Sequence, residues 1–396
     1  MPTTTRLCAG LAAFLIILAL SPVAESAQEY TANCESARGR LLVPVTLNGF
    51  SPYRFALDTC AQAPIIDTAV AAFIQAPNAE QDITITGPQG TTAQTTVAHV
   101  HRFEFAGMLA QPSEMGVANL AALSEQLRTR VDGLLPAHQP GFSITIDFTS
   151  RTVVWRALEA TADNVHPPAA LPMLLDVSGA PTISAQIDGG APVPLQLDSL
   201  FPGTMGLPSA ALEGMGLRPE DVPHLDTATG PNTRKTQIRL RSIALRKQEI
   251  KTPICSVLAE TETPRVGLNL LKHFRLTLQY EYGRAWLEPA KDGLMADPPL
   301  VGSGLALRRF RQGYWDVGVA MASPAHEAGL QPGDILRAIN GRSLEGMSAA
   351  DLIPLLSSAP GTRMTLRISR STESGYRNRT IPLATAILLD VPKTTK

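Results

Sequence analysis

Two stretches of the chain, 140 residues apart, follow one pattern, and this repeat limits the possible folds more than any other feature. The first stretch reads VPVTLNGFSPYRFALDTC from Val43, and the second reads ISAQIDGGAPVPLQLDSL from Ile183. Their gapless alignment pairs Gly49 with Gly189, Pro52 with Pro192, Leu57 with Leu197, Asp58 with Asp198 and Thr59 with Ser199. Each copy alternates apolar and polar residues around an Asn-Gly or Asp-Gly turn. We therefore predict two β-hairpins, each with a second strand that ends at an aspartate.

The repeat continues beyond the hairpins. Thr86-Gly87-Pro88-Gln89 matches Thr229-Gly230-Pro231-Asn232, and Gly133-Leu134-Leu135 matches Gly267-Leu268-Asn269. A predicted strand pair closes each copy: Ile144–Phe148 with Thr152–Trp155, and Leu276–Tyr280 with Arg284–Leu287. We interpret this as two copies of one β unit, at residues 38–160 and 170–290, with a linker near Asp163–Pro172.

These elements resemble the lobes of retropepsin-type aspartic proteases. Phe55–Thr59 followed by Ile65–Asp67 resembles the bacterial aspartyl-protease pattern, and Gly267–Leu271 resembles its late Gly-x-Asn/Asp-Leu-Leu element. The resemblance covers roughly residues 38–290. It implies a mainly β fold in which two tandem retropepsin-like lobes form a pseudo-dimer within one chain.

The resemblance also implies that Asp58 and Asp198 face each other as a catalytic dyad. Two carboxylates about 3 Å apart hold one proton between them, because like charges at that distance cannot both ionise. The ionised carboxylate accepts a proton from the attacking water, and the protonated one polarises the scissile carbonyl. Thr59 and Ser199 are expected to support the dyad with hydroxyls that cross-brace the two loops.

The sequence departs from the family at the third position of both Asp-Thr/Ser-Gly motifs. Cys60 and Leu200 stand where the family has glycine, and the late Gly133 of the first lobe is followed by Pro136, where the family usually has another glycine. Glycine lets the loop bend tightly and leaves room above the carboxylates. The alternative to an aspartic-type peptidase is therefore a catalytically inactive scaffold that binds peptides.

Cysteine usage leaves several possibilities open. Cys34, Cys60 and Cys255 follow the apolar segment at the start of the chain, and three is an odd number, so at least one thiol stays outside an internal disulfide. A disulfide between Cys34 and Cys60 is one alternative, and a small buried residue at position 60 is another. A third hypothesis is a redox-sensitive protease gated by Cys60, although a neighbouring carboxylate raises the pKa of a thiol and so opposes thiolate chemistry.

No set of metal ligands stands out. The chain has no CxxC motif, and His99 and His101 lie on one face of a predicted strand without a third ligand nearby in sequence. We expect no metal and no cofactor.

Residues 299–388 do not continue the repeat, and they resemble a bacterial PDZ domain. The resemblance rests on Ser323–Ala325, Ala328–Leu336 and Ile339–Gly341. Pro324 is expected to start a short helix that Gly329 ends. The strand Ile335–Ile339 follows, and then a helix over Ser348–Ser357 and a strand over Met364–Ser369.

A PDZ domain adds a peptide C-terminus to a sheet edge and holds its carboxylate on backbone N–H groups. The candidate loop is Gly302-Ser303-Gly304-Leu305, where glycines allow N–H groups to converge on an anion. The alternative is a plain glycine-rich linker between domains.

The start of the chain has the features of a secretory signal peptide. Arg6 precedes the apolar run Leu7–Leu20, which is short for a membrane span, and Ala24-Glu25-Ser26 offers a cleavage site. The alternative is an uncleaved anchor. No later stretch is long and apolar enough to cross a bilayer, so we expect a periplasmic or secreted protein.

The net charge argues against a nucleic-acid-binding protein. The chain has 34 basic and 35 acidic residues, and a nucleic-acid binder needs a basic face. No Gly-x-Ser-Gly-Gly nucleophile loop is present. The sequence thus predicts a monomeric exported aspartic endopeptidase that acts on peptides or proteins.

Overall fold

The structure is a computed structural model that describes residues 28–76, 78–86, 92–110, 113–158, 170–230, 233–246, 248–290, 296–309, 314–347 and 349–390. Most of these residues lie in β-strands, and the predicted fold class is confirmed. We call residues 28–158 the first lobe, 170–290 the second lobe and 296–390 the PDZ unit. No helix among the described residues has the length and apolarity that a membrane crossing requires.

The first lobe is built from β1 to β13 and two short helices. The elements are β1 (Glu29–Asn33), β2 (Glu35–Ala37), β3 (Arg40–Leu47), β4 (Phe50–Asp58), β5 (Ile65–Asp67), α1 (Thr68–Phe73), β6 (Asn78–Thr86), β7 (Thr92–Val100), β8 (Phe103–Phe105), β9 (Met108–Ala110), β10 (Ser113–Ala118), α2 (Ala121–Leu127), β11 (Gly133–Pro136), β12 (Phe142–Asp147) and β13 (Thr152–Ala157).

The second lobe comprises β14 to β25. The elements are β14 (Leu171–Leu175), β15 (Pro181–Ile187), β16 (Pro192–Asp198), β17 (Met205–Pro208), α3 (Ser209–Gly214), a 3-10 turn (Pro219–Asp221), β18 (His224–Gly230), β19 (Thr233–Arg239), β20 (Ser242–Leu245), β21 (Gln248–Lys251), β22 (Ile254–Leu258), β23 (Arg265–Gly267), α4 (Leu268–Leu271), β24 (Phe274–Gln279) and β25 (Arg284–Pro289).

Both lobes join their strands in the same order and the same directions. In the first lobe the order is β4-β11-β5-β10-β7-β6, and in the second it is β16-β23-β17-β22-β19-β18. In each lobe the aspartate strand pairs in parallel with a late strand, β11 or β23. Each aspartate strand is therefore held between a hairpin partner and a parallel neighbour.

The two predicted hairpins form, and their turn chemistry explains why. Asn48 and Gly49 have φ values of 50° and 84°, and Asp188 and Gly189 have 51° and 76°. A two-residue turn with both φ values positive matches the twist of an antiparallel pair, and Asn-Gly and Asp-Gly adopt it most easily. These turns fix the register in which each second strand reaches its aspartate.

The late element of the repeat pairs differently from the sequence alignment. We aligned Gly133 with Gly267, but the strand register places Pro136 opposite Asp58 and Gly267 opposite Asp198. The structural equivalent of Gly267 is therefore Pro136, three residues later, and that part of the alignment was wrong. The shared Gly-Leu letters misled it, because Gly133 needs its missing side chain for another reason: a Cβ there would lie 2.2 Å from the Phe55 ring.

One six-stranded layer joins the lobes. Its order is β1-β13-β12-β24-β25-β14, and the central pair β12–β24 brings Ile144 opposite Leu278 and Thr145 opposite Thr277. The apolar residues of this layer and of both lobes form one continuous core, in which Trp155 is fully buried. The two lobes consequently share a hydrophobic core.

The PDZ unit has its own core and its own strands. The elements are β26 (Leu300–Gly302), β27 (Leu305–Arg309), β28 (Trp315–Ala320), α5 (Pro324–Glu327), β29 (Ile335–Ile339), β30 (Arg342–Ser343), α6 (Ala349–Leu356), β31 (Arg363–Thr372), β32 (Gly375–Ala384) and β33 (Ala386–Leu389). As predicted, a helix starts at Pro324 and gives way to a left-handed residue at Gly329, with φ 78°. The predicted strand Ile335–Ile339 also forms.

Among the described residues, two sets of contacts attach the PDZ unit to the second lobe. Strand β28 pairs with β18, so that Thr227 lies opposite Ala320 and Ala228 opposite Val319. In the second set the buried guanidinium of Arg239 donates to four carbonyl oxygens. These are the carbonyls of Thr252, Asp297, Pro298 and Leu389. Arg239 thus holds both the segment that enters the PDZ unit and the strand that leaves it.

Candidate active site

The aspartates stand at the ends of two buried strands. Leu57 and Leu197, the residues just before them, point into the core and are at most 2% exposed. Because side chains alternate along a strand, the next residue in each strand faces away from that core. Asp58 is partly exposed, whereas Asp198 is 5% exposed.

The structure brings the two aspartates together. One carboxylate oxygen of Asp58, one carboxylate oxygen of Asp198 and the sulfur of Cys60 all lie within 4.8 Å of one another. The carboxylates therefore face each other across a gap that one water molecule can bridge. This is the arrangement expected for Asp58 and Asp198, with the sulfur of Cys60 as an additional neighbour.

Thr59 and Ser199 hold the two loops in a reciprocal brace. The Ser199 N–H donates to Thr59 Oγ1 at 3.0 Å, and the Thr59 N–H donates to Ser199 Oγ at 3.1 Å. Each hydroxyl also donates to a backbone carbonyl of the other lobe: Thr59 to Leu197, and Ser199 to Leu57. All of these groups are buried, so the loops that carry the aspartates are fixed relative to each other.

Two further side chains extend this brace, and sequence reasoning missed both. The Tyr280 hydroxyl of the second lobe donates to the carbonyl of Thr59 at 3.0 Å. In the other direction, Arg40 of the first lobe donates from Nη2 to the carbonyl of Leu200 at 3.0 Å. Each aspartate loop is therefore held by a buried side chain from the opposite lobe. No local motif marks these residues, because their partners are distant in sequence.

Backbone N–H groups hold one oxygen of each carboxylate. Asp58 Oδ1 accepts from the N–H of Cys60 at 2.8 Å. Asp198 Oδ1 accepts from the N–H groups of Leu200 and Phe201, each at 2.9 Å. The other oxygen of each carboxylate is thus the one available to a water molecule or a further side chain.

The environment of Asp58 favours its protonated form. Burial and the neighbouring charge of Asp198 raise the pKa of the Asp58 carboxyl from its ordinary 3.8 to about 7, against N–H groups of Cys60 and Ala61 that lower it. Near neutral pH, Asp58 can therefore hold a proton that it donates to a bound carbonyl oxygen.

Asp198 has a neighbour that the sequence analysis did not anticipate. Arg265 Nη1 lies 3.2 Å from Asp198 Oδ2, and both side chains are almost inaccessible, at 4% and 7% exposure. The available signal was an arginine at the start of the otherwise apolar strand β23, two residues before Gly267. The two carboxylates of the pair thus have different electrostatic environments.

Cys60 and Leu200, which replace the motif glycines, are placed differently from each other. The Leu200 side chain packs against a small apolar cluster of the first lobe that includes Leu42, Leu120 and Leu127. Cys60 Sγ stays beside the carboxylates and lies 3.6 Å from the Leu197 carbonyl. The leucine therefore packs into the first-lobe cluster, whereas the sulfur of Cys60 stays at the dyad.

The thiol of Cys60 is neutral at physiological pH. Burial, together with the charges of Asp198 and Asp58, raises its pKa well above the ordinary value. The alternative of a disulfide with Cys34 is wrong, because Cys34, Cys60 and Cys255 are all unpaired. The atoms of Asp58, Cys60 and Asp198 have the spacing of a metal site, but the Arg265 charge on Asp198 opposes a cation there.

The predicted carboxylate-binding loop of the PDZ unit is closed in this structure. Gly302, Ser303 and Gly304 are buried, and the Ser303 N–H donates to the Leu356 carbonyl at the end of α6 at 2.7 Å. Gly304 has φ 83°, and a Cβ there would lie 2.0 Å from Ser323 Oγ, so only glycine fits. Leu305 begins the edge strand β27, and its N–H approaches Ser303 Oγ at 3.4 Å. The loop is a tight turn packed on α6, with the Ser303 donor already engaged.

Several predicted features lie wholly or partly outside the described residues. These are the targeting segment 1–26, residues 87–89 of the first turn, residues 231 and 232 of its counterpart, most of the linker near 163–172, and residue 348 at the start of the predicted PDZ helix.

Comparison with known protein families agrees with the two resemblances. Residues 43–136 match the family model for aspartyl protease, and residues 316–370 match the model for PDZ domain. The predicted resemblance to a retropepsin-like aspartyl protease with a C-terminal PDZ domain is thereby confirmed for these segments. The matches support peptidase chemistry together with peptide binding. No curated protein matches the chain.

Three solved structures are similar to parts of the chain. Basic 7S globulin from soybean is 9% identical over 66% of this chain and 94% of its own, with a TM-score of 0.38. A retropepsin-like aspartic protease from Rickettsia conorii is 15% identical over 29% and 94%, with a TM-score of 0.23. The PDZ domain of carboxy-terminal protease from Vibrio cholerae, in complex with peptide, is 17% identical over 22% and 94%, with a TM-score of 0.20.

Proposed function

We propose that the protein is an exported aspartic-type endopeptidase that hydrolyses peptide bonds with Asp58 and Asp198. The observation that carries the proposal is the facing pair of carboxylates at the ends of two equivalent strands, on loops braced by Thr59 and Ser199. A scaffold that only binds peptides gains nothing from two carboxylates at this distance, because like charges so close together repel each other.

The pair can carry out both halves of amide hydrolysis. A water molecule between the carboxylates attacks the carbonyl carbon, giving one proton to ionised Asp198 while protonated Asp58 gives its proton to the carbonyl oxygen. The resulting diol collapses when Asp198 protonates the amine nitrogen and the C–N bond breaks. One diol hydroxyl then returns a proton to Asp58. The pair ends in its starting protonation state, and no cofactor is required.

The alternative function is a peptide-binding scaffold that does not cleave. The contact between Arg265 and Asp198 favours it, since a paired carboxylate is a weaker base than a free one. The two functions differ in one measurable property. The enzyme turns over its peptide, whereas the scaffold binds the same peptide and leaves it intact.

The deciding experiment is cleavage of an unfolded protein and a mixed peptide pool between pH 4 and 8. We expect Asp58→Asn and Asp198→Asn each to lower kcat by at least about a thousandfold, because each removes one proton-transfer partner. The matched control is Asp221→Asn, an exposed carboxylate in the 3-10 turn that should leave the rate unchanged. Cleavage that survives both dyad changes would rule out the mechanism.

We further propose that the PDZ unit binds an extended peptide or protein segment along β27. Among the described residues, β27 pairs with β28 on one edge, and Leu305 and Leu307 pack partly buried against the PDZ core. A peptide can add to the other edge as a further strand. A chain terminus would require the turn at Gly302–Leu305 to open, because the Ser303 N–H is engaged.

Fluorescence binding of the full chain to peptides with a free or an amidated C-terminus tests this role. Leu307→Lys should weaken binding at least about tenfold, whereas Ala306→Lys, on the opposite face of the same strand, should have little effect. Equal affinity for free and amidated peptides would indicate an internal segment as ligand. A preference for the free carboxylate would indicate a C-terminal tail. No binding of either peptide would remove this role.

Export is the remaining part of the proposal and depends on the sequence of residues 1–26. Expression of the full chain in a Gram-negative host should yield a periplasmic or secreted product that begins after residue 26, as read by mass spectrometry. An unprocessed product in the membrane fraction would support the uncleaved anchor instead.

A further inference from the structure

The contact between Arg265 and Asp198 has no counterpart among the described residues of the first lobe. Arg265 lies opposite Gln196 in the parallel pair β23–β16, two residues before Asp198. The same register position in the first lobe is Leu134, opposite Ala56 and two residues before Asp58. Equivalent strand positions therefore present a cation to one carboxylate and an apolar side chain to the other.

The guanidinium is fixed in place by several contacts. Arg265 Nε donates to the Thr263 carbonyl at 3.0 Å, and Cζ lies 5.7 Å from the centre of the Phe201 ring. Glu262 Oε1 lies 3.8 Å from Nη2. A side chain held on three sides keeps its charge at one position relative to Asp198, and almost no solvent screens that charge.

The other titratable groups around the pair leave this asymmetry intact. Burial, together with the charge of nearby acidic groups, raises the pKa values of Cys60 and Tyr280 well above their ordinary values, so both are neutral near pH 7. Arg40 interacts with Asp198 as well and adds positive charge on the same side. Glu262 lies farther from Arg265 than Asp198 does and offsets part of its charge.

We propose that Arg265 is a positioning residue that assigns the negative charge of the pair to Asp198 and leaves the shared proton on Asp58. This inference rests on the proposed function, because it sets the direction in which the protons move during hydrolysis. Asp198 is then the base in every turnover and Asp58 the acid. A dyad between identical lobes has no such fixed assignment.

The first test is the pH dependence of kcat/KM in Arg265→Gln and Arg265→Lys. Loss of the positive charge lets the two aspartates accept a second proton more easily. The pH at which kcat/KM falls on the acid side of the profile should therefore be about 1–3 pH units higher in Arg265→Gln. The rate at pH 5 should then fall at least about tenfold. Arg265→Lys keeps a charge near Asp198 and should restore most of the wild-type profile. Equal rate loss at every pH, with both limbs unmoved, would overturn the proposal.

The second test does not require cleavage. Carboxyl signals of 13C-labelled aspartate are assigned by their loss in Asp58→Asn and Asp198→Asn and are then followed between pH 5 and 8. In the wild type, the Asp58 signal should titrate while the Asp198 signal stays in its ionised position, and in Arg265→Gln both should move. This pattern in a protein that cleaves nothing would refute the proposed function and leave the charge assignment standing. Titration of both signals in the wild type would overturn the assignment itself.

Discussion

The two lobes have the same strand order, yet their surroundings differ at two places. In the second lobe, Arg265 pairs with Asp198, and strand β18 joins the PDZ sheet through β28. In the first lobe, Leu134 stands at the position of Arg265, and the described part of β6 pairs only with β7. The comparison shows that one carboxylate of the pair lies beside a fixed positive charge. The other carboxylate has an apolar side chain at the equivalent strand position.

The largest expected effect concerns Arg239, which attaches the PDZ unit to the second lobe. Arg239→Met removes a buried cation that donates to four backbone carbonyls, so we expect a loss of about 3–5 kcal/mol of unfolding free energy. The loss should appear in urea titrations. It should be accompanied by faster proteolysis between the second lobe and the PDZ unit.

Arg246→Met is the matched control for this change. Arg246 is exposed and donates to a single carbonyl, that of Ala170, so its loss should cost below about 1 kcal/mol. If the two substitutions have similar effects, the attachment does not depend on Arg239.

Removing either hydroxyl of the reciprocal brace should lower the free energy of unfolding by a similar amount, because the brace has the same bonds in both lobes. Thr59→Val and Ser199→Ala each remove a hydroxyl that accepts from a buried N–H and donates to a backbone carbonyl, and each should cost about 2–4 kcal/mol. The double variant should cost less than the sum, because the four bonds form one unit. Urea unfolding of the three variants gives the coupling energy.

Thr145→Val provides the comparison outside the dyad loops. Thr145 and Thr277 form one hydroxyl contact at 2.9 Å between the lobes, and its loss should cost about 1 kcal/mol. Additive effects of Thr59→Val and Ser199→Ala would show that the two loops are independent.

Stability should depend on pH through Asp58. Its pKa is raised to about 7 in the folded state, so the folded protein binds this proton more tightly than the unfolded chain does. That contribution is complete below pH 3.8 and is lost as the pH rises through 7. Between pH 5.5 and 7.5 the wild type should lose about 1–2 kcal/mol more than Asp58→Asn, as measured by thermal unfolding. Parallel pH profiles for the two proteins would show that Asp58 is already ionised at pH 5.5.

Local patterns were sufficient to predict the two hairpins that end at Asp58 and Asp198, whereas the pairing of the aspartates and the role of the hydroxyls beside them were implied by the family resemblance. Period-two alternation and Asn-Gly or Asp-Gly turns act within a few residues, so their consequences can be read from a short segment. Arg265 and Arg239 could not be predicted in this way. Their partners Asp198 and Leu389 lie 67 and 150 residues away, and only the folded chain brings them together.

The motif glycines show a second limit of sequence reasoning. An extra side chain at Cys60 or Leu200 was expected to crowd the carboxylates, but its direction depends on the neighbouring lobe. Leu200 turns into a cluster formed by first-lobe residues, whereas Cys60 remains at the dyad. Sequence alone also misaligned the late element of the repeat. Gly133 and Gly267 are each followed by leucine, but the strand register makes Pro136 the structural equivalent of Gly267.

The smallest expected effects are those of substitutions at Leu200 and Cys60. Leu200→Ala removes apolar contacts with the first lobe and should cost about 1–2 kcal/mol, since the side chain is only partly buried. Cys60→Ala should cost less than about 1 kcal/mol and change the cleavage rate less than about threefold, because the thiol is neutral and takes no part in proton transfer. Urea unfolding and peptide cleavage measure both. Mild peroxide should leave the rate unchanged in wild type and in Cys60→Ala alike. A rate that falls with peroxide in the wild type but not in Cys60→Ala would instead show that the site is redox-gated at Cys60.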